Sequence, residues 1–400
     1  MPKTIKGRTS RDELLKALQK DNISGIQKEV AKLRLEYSDI HTLRSTFLEC
    51  LRYSERINPV ILPTQASGRW SYIDPPLSGF PKRCINPECS KKVHRKTDTC
   101  WSIRDCIRPD KNTFWIEHDL DAVEHRIYCL ILDWKERLTD LRSGKDIHTP
   151  VTCTLFNLPM CSNVYNPHTS EEDEKWRQEV GWNGKDDSRR TISKNFTYGQ
   201  GQYAYVYLKN KYSKRAVKLP YREYKGLVYT PEVVYLIPNI ESYLIKDKET
   251  GELRRPDYIN LAIKFMEDNV EIQSRKAVEM EVIRKDKIAR TLYGGRRLFY
   301  FSNQNTAKQG FNHRIQGTVA SYINESCILL QKEFPDSYLV QNKHDSLSWC
   351  FIYESSSVQG RKEEEEQILQ VYKSITQREL VYKSNSIPIT ATFKVIRREV

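Results

Sequence analysis

The stretch SYLVQNKHDSLSWCFIYE, residues 337–354, decides how the chain is to be read. Two runs rich in apolar and aromatic residues, Tyr338–Val340 and Leu347–Tyr353, flank a polar centre, Gln341–Ser346. That pattern predicts a β-hairpin with His344 and Asp345 at its turn. Aspartate is a favoured turn residue, so the pair taken alone reads as a solvated turn. Whether it is more depends on what the rest of the chain brings to that turn.

A second acid-tipped β element stands far upstream. TFWIEHDLDA, residues 113–122, reads as a strand that ends on Asp119 and Asp121. Helical patterns dominate from 122 to about 215, and 216–290 is mixed. FNHRIQGTVASYINESCILLQKEF, 311–334, is predicted to be a helix with Val319, Ile323, Cys327 and Leu330 on one face. RKEEEEQILQVYKSITQREL, 361–380, reads as an amphipathic helix with an acidic start, and IPITATFKVIRREV as a closing alternating strand. Residues 10–56 read as helical, opened by Ser10 and Glu13 as a capping box. A sheet holding both acid-tipped elements would bring Asp119 and Asp345 together and leave the intervening segment as a separate lobe.

In DDSRRTISKNFTYGQGQYAYV, 186–206, Arg190, Lys194 and Tyr198 are spaced i, i+4, i+8, which lays two cations and a ring along one helix stripe. Like charges at i, i+4 repel, so an exposed helix gains nothing from them. A polyphosphate along the stripe reverses that cost, and the ring can stack on a base or sugar. An ordinary basic surface helix is the plain alternative. Phosphoryl transfer needs Mg²⁺, and Mg²⁺ prefers hard carboxylate oxygens. Two ions about 3.5–4 Å apart clamp the attacking and leaving oxygens, and two aspartates on neighbouring strands suit that arrangement.

The bulk properties agree. Four hundred residues suffice for two or three domains, and 38% hydrophobic with 29% charged residues argues against wholesale disorder. A net charge of +13 suits a polyanionic partner, chiefly nucleic acid. No apolar run approaches bilayer length, and MPKTIKGRTSRDELLKALQK has no apolar signal region, so a cytoplasmic protein without a membrane partner, its 10 cysteines reduced, is expected.

Three blocks, in order, resemble the polymerase motifs of family-A DNA polymerases, the group of bacterial DNA polymerase I and many phage replicases. HDLDAVEHR, 118–126, matches at Asp119, Glu124 and Arg126, and GKDIHTPVTCTLF, 144–156, resembles the family's Asp-Ile-His-Thr segment. Arg190-x3-Lys194-x3-Tyr198-Gly199 is similar to the nucleotide-binding helix, and His344-Asp345-Ser346 stands where the family usually has His-Asp-Glu. SGRWSYIDPPL (67–77), IRDCIRPD (103–110), TLYGGRRLFY (291–300) and NHRIQGTVA (312–320) resemble the connecting segments. The likeness covers roughly residues 60–400.

The resemblance implies an α+β right-hand polymerase with an antiparallel palm sheet, helical fingers and a reduced helical thumb. The implied domains are 1–60 as thumb, 61–128 and 291–400 as palm, with a basic Cys/His loop at 82–100, and 129–290 as fingers. It implies template-directed DNA synthesis of a phage or viral type. Asp119, Asp345 and the Leu120 carbonyl would bind two Mg²⁺ ions. Arg190, Lys194, Tyr198, Glu124 and His148 would bind the nucleotide, with Lys194 donating a proton to pyrophosphate and Glu124 excluding a ribose. Arg69, Gln316, Asn312, His344 and Arg126 would contact primer–template DNA. A chain of this length leaves no room for proofreading, so a separate exonuclease or processivity subunit is expected. A single-subunit RNA polymerase and an inactive replication DNA-binding protein are the alternatives. Glu124 and the position of Tyr198 argue against the first, and the two aspartates against the second. Cys84, Cys89, His94 and Cys100 form a set of four soft ligands that suits Zn²⁺, but free thiols are the favoured reading because the spacing is not that of a common zinc knuckle.

Overall fold

The computed structural model describes residues 24–49, 56–77 apart from positions 58, 64 and 74, 107–184, and 270–398. It also describes Asp187, Arg189, Arg190, Ser193, Lys194 and five short strands between 206 and 254. The chain divides into two compact units, Met1–Thr113 with Ile396–Val400, and Phe114–Val395.

In the first unit, α1 (Gly25–Thr42) is followed by the antiparallel pair β1 (Val60–Leu62) and β2 (Ser71–Ile73). The second unit opens with β3 (Thr113–Leu120), α2 (Val123–Ile131), α3 (Lys135–Arg142), α4 (His148–Leu155) and α5 (Glu174–Glu179). Short strands follow: β4 (Val206–Leu208), β5 (Val217–Leu219) and β6 (Val233–Tyr235) in one sheet, β7 (Ile245–Lys246) and β8 (Leu253–Arg254) in another. Then come α6 (Val270–Asp286), the pair β9 (Ile288–Arg290) and β10 (Arg296–Leu298), and α7 (Gln304–Glu333). The hairpin β11 (Tyr338–Lys343) and β12 (Ser346–Ile352) precedes α8 (Val358–Thr376), the pair β13 (Glu379–Tyr382) and β14 (Asn385–Pro388), and β15 (Ala391–Arg397).

The central sheet has the order β11-β12-β3-β15. Along β3, Phe114, Ile116, His118 and Leu120 are buried, whereas Asp119 is exposed, as a two-residue period requires. β12 is buried along its middle, with Leu347, Trp349 and Phe351 in the main core. That core joins the sheet to α2, α7 and α8 through Ile127, Phe311, Val319, Ile323, Leu330 and Tyr372. Rings interlock there: Phe351 stacks on Phe114 at 5.4 Å and meets Phe334 edge-on at 5.1 Å. Such pairs add to the area term, so truncating a ring like Phe351 to alanine removes about 3–5 kcal/mol.

Helices α6 and α7 meet closely at Gly310, where a Cβ would lie 2.3 Å from Ile283 Cγ2. A methyl group there forces the two helices apart. Helix α7 begins seven residues before the predicted start, capped by Asn303, whose side chain accepts from Thr306 N at 2.9 Å. The predicted stripe Val319, Ile323, Cys327 and Leu330 is buried. The β13–β14 pair falls in a segment read from sequence as helix end and strand start, because two four-residue strands are too short for a clear period. Among the described residues, no helix is long and apolar enough to cross a membrane.

Candidate active site

The hairpin turn is tight. Lys343 pairs with Ser346, leaving His344 and Asp345 as the two turn residues, and His344 takes a left-handed φ of 58°. A positive φ at the first turn residue suits the twist of the strands it joins. Beside the turn, Leu120 N donates to the Asp345 carbonyl at 2.9 Å. This bond sets the ends of β3 and β12 side by side, with Asp119 exposed next to it and Asp345 half-buried. Leu120 itself is buried, and His344 is exposed.

The turn out of β3 is held by Arg126. Its Nε donates to Asp121 O at 2.9 Å, one Nη to Pro388 O at 2.9 Å, and the other to Thr390 Oγ1 at 2.8 Å. Asp121 N in turn donates to Thr390 O, and Ala122 takes a left-handed φ of 49° before α2 begins. Arg126 is buried, and Nε and both Nη groups each donate to an acceptor within the fold, whereas the sequence-based expectation sets it against DNA. Glu124 sits half-buried in the first turn of α2. On α7, Asn312 is exposed and Gln316 half-buried one turn later. Arg69 lies between β1 and β2 in the first unit. Tyr198 and the Cys84/Cys89/His94/Cys100 set lie outside the described residues.

The cationic group is built differently. Arg190 is buried, and its Nη2 lies 3.1 Å from Asp146 Oδ1. Asp146 also accepts from His148 N at 2.9 Å and Thr149 Oγ1 at 2.6 Å, and His168 Nε2 stands 3.0 Å from its other oxygen. Burial alone would raise this carboxyl's pKa, but these donors and Arg190 hold it well below the usual carboxylate range. Burial, reinforced by Arg190, lowers the His148 pKa to about 3, so its ring is neutral at pH 7. Lys194, half-buried, lies one helical turn beyond Arg190.

Asp146 and His168 were not singled out as functional residues from the sequence. Asp146 was quoted within the Asp-Ile-His-Thr segment; His168 carries no local signal, since its partner is 22 positions away.

No family model matches the sequence, and no curated protein matches it. The fold is nevertheless a known one. The chain is similar to a solved structure described as the POL domain of Pol1 from M. smegmatis in complex with DNA primer-template and dNTP, with a TM-score of 0.62 and 18% identity. The match covers 99% of this chain and 58% of that one, so the chain spans somewhat over half the length of the structure it resembles. At this identity the likeness establishes a polymerase-domain fold.

The strand ends offer two carboxylates on adjacent strands, one exposed and one half-buried, and carboxylate oxygens are the ligands a hard ion such as magnesium takes. A hard ion that keeps several waters takes one or two protein carboxylates and leaves the remaining positions to backbone oxygen, water and substrate phosphate.

Proposed function

We propose that this chain is a DNA-directed DNA polymerase, adding deoxynucleotides to a primer 3′-OH on a template. The observation that carries this reading is the 2.9 Å bond from Leu120 N to Asp345 O, which joins the two acid-tipped strands 226 positions apart. The polymerase-domain fold supports it.

Asp119 and Asp345, with the Leu120 carbonyl, hold Mg²⁺, which when bound supplies Lewis-acid stabilisation to the attacking and leaving oxygens. Arg190 and Lys194 bind the triphosphate, and Lys194 gives a proton to the departing pyrophosphate. His148, neutral in its buried setting, offers a hydrogen-bonding ring beside them without adding charge. Glu124 stands under the sugar and excludes a 2′-hydroxyl, and Tyr198 stacks on the incoming nucleoside. Asn312 and Gln316, one turn apart on α7, contact the primer–template, as does His344; Arg69, in the first unit, is a further DNA contact by the motif it belongs to. The ordered motifs are the ground for reading it as a family-A enzyme, of phage or viral type.

Primer extension with Mg²⁺ tests the reading. Extension with dNTPs and little with rNTPs is expected. Extension with rNTPs instead assigns an RNA polymerase, and DNA binding without extension by either assigns an inactive DNA-binding protein.

A further inference from the structure

Residues 157–184 fold beside α4 around a small core that the two share. Cys153, Cys161, Trp176 and Trp182 are buried together, with Leu158, Val164 and Val180 at the edges. Trp182 rests against Trp176 at 5.2 Å. Its indole Nε1 donates to His168 Nδ1 at 3.1 Å, in a nearly parallel arrangement of the two rings. An Nδ1 that accepts leaves the neutral ring's proton on Nε2, the nitrogen that faces Asp146 Oδ2 at 3.0 Å. The same segment reaches Asp146 through its backbone as well, since Asp146 N donates to Val164 O at 2.8 Å.

Two neighbouring arginines link this small core to the cationic group. Arg189 donates to the Val180 carbonyl at 3.0 Å and the Gly181 carbonyl at 3.1 Å, and pairs with Asp187 at 2.7 Å. Arg190 turns instead to Asp146, and its Nε is buried with no hydrogen-bond partner among the described residues. A guanidinium held along one edge and unsatisfied along another is pre-oriented for an anion, because its planar fork loses little freedom on binding one.

We propose that Asp146 and His168 are positioning residues for Arg190. The 157–184 segment acts through Trp182 and His168 to fix the Asp146 carboxylate, which in turn aims the Arg190 guanidinium at the nucleotide's phosphates. This rests on the reading of Arg190 as a triphosphate ligand. Neither residue touches the substrate; each sets the geometry of a residue that does.

The test uses His168→Gln, His168→Asn and His168→Ala in the full chain. Two measurements are made: dATP binding by isothermal titration without DNA, and the KM for dNTP against kcat in primer extension. A glutamine amide reaches the place of Nε2, whereas an asparagine amide reaches only that of Nδ1. His168→Gln is expected to stay within about twofold of the parent, while His168→Asn and His168→Ala, which leave the 3.0 Å contact with Asp146 unmade, raise the dATP Kd and the KM roughly tenfold, with kcat little changed. Equal Kd and KM in all four proteins, or a loss confined to kcat or to thermal stability, overturns the proposal. Should His168→Ala fail to fold, the Gln and Asn pair decides between these outcomes. A parent protein that neither binds dATP nor extends a primer overturns instead the polymerase reading beneath it.

Discussion

The two halves of the candidate site are secured in opposite ways. The carboxylates sit at strand ends whose positions are fixed by main-chain bonding: Leu120 N to Asp345 O, the Lys343–Ser346 pair, and the left-handed His344. The cation at Arg190 is fixed through a side-chain carboxylate, which accepts from Thr149 Oγ1, Arg190 and the His148 main-chain N and has His168 Nε2 at 3.0 Å. Main-chain register tolerates substitution of the side chains it carries, because the bonds do not involve them. A side-chain network fails wherever one member changes, since each unsatisfied buried group costs about 1–3 kcal/mol. Mutating the carboxylates should therefore affect chemistry and spare the fold, while mutating the network should affect both binding and stability.

The sharpest way to break this contrast is Asp119→Asn or Asp345→Asn. Each is expected to lower primer extension roughly a thousandfold or more, about 4 kcal/mol in the barrier, with the urea unfolding midpoint and DNA affinity unchanged. A large fall in stability would mean that the strand ends depend on those side chains after all. Arg126→Ala should do the reverse. With its partners Asp121, Pro388 and Thr390 released, a loss of about 3 kcal/mol in stability is expected by urea denaturation. The salt dependence of DNA binding should keep its slope, because no phosphate contact is lost.

Acid acts on both regions. His118, His125 and His148 are buried, and burial depresses all three: His118 and His148 to about 3 and His125 well below its ordinary value. A base whose folded pKa is lowered binds fewer protons folded than unfolded. Its cost is absent above about pH 6.5 and grows as pH falls toward 3, at about 1.4 kcal/mol per pH unit for each such group. Asp146, held low, loses its contribution only below its unfolded range near pH 4, so unfolding that begins near pH 6 identifies the histidines as its source. His148→Gln should flatten the onset measured by fluorescence between pH 6 and 4. The smallest effect is at Lys276, buried with its ammonium 5.1 Å from the Tyr128 ring and 5.4 Å from Phe311. Burial pushes its pKa well down, so protonating it at neutral pH opposes folding. Lys276→Met is expected to raise stability by about 1 kcal/mol at pH 7, a gain that disappears as pH rises through the unfolded lysine's range.

Much of this was legible in the sequence where the signal is local. The hairpin at 337–354 follows from two apolar arms around a polar turn, and β3 from a plain alternation that ends on Asp119. The buried stripe of α7 follows from helical spacing. The internal bonds of Arg126 were not legible, because a basic residue in such a motif looks the same whether its donors face a phosphate or the carbonyls of Pro388 and Asp121. Only the folded chain brings those carbonyls within reach, from 262 and 5 positions away. His168 was missed for the same reason. Its importance lies in a carboxylate and an indole that no spacing rule connects to it. Local periodicity reports elements; side-chain networks between distant positions leave no periodic trace.

Strand β15 lies beside β3 in the central sheet, so residues 391–397 flank the strand that carries Asp119. During synthesis, the floor of the site stays incomplete until those residues have emerged from the ribosome, long after Asp119 itself. Nascent chains paused before residue 391 should be inactive and should expose the unpaired edge of β3 to chaperones or to aggregation.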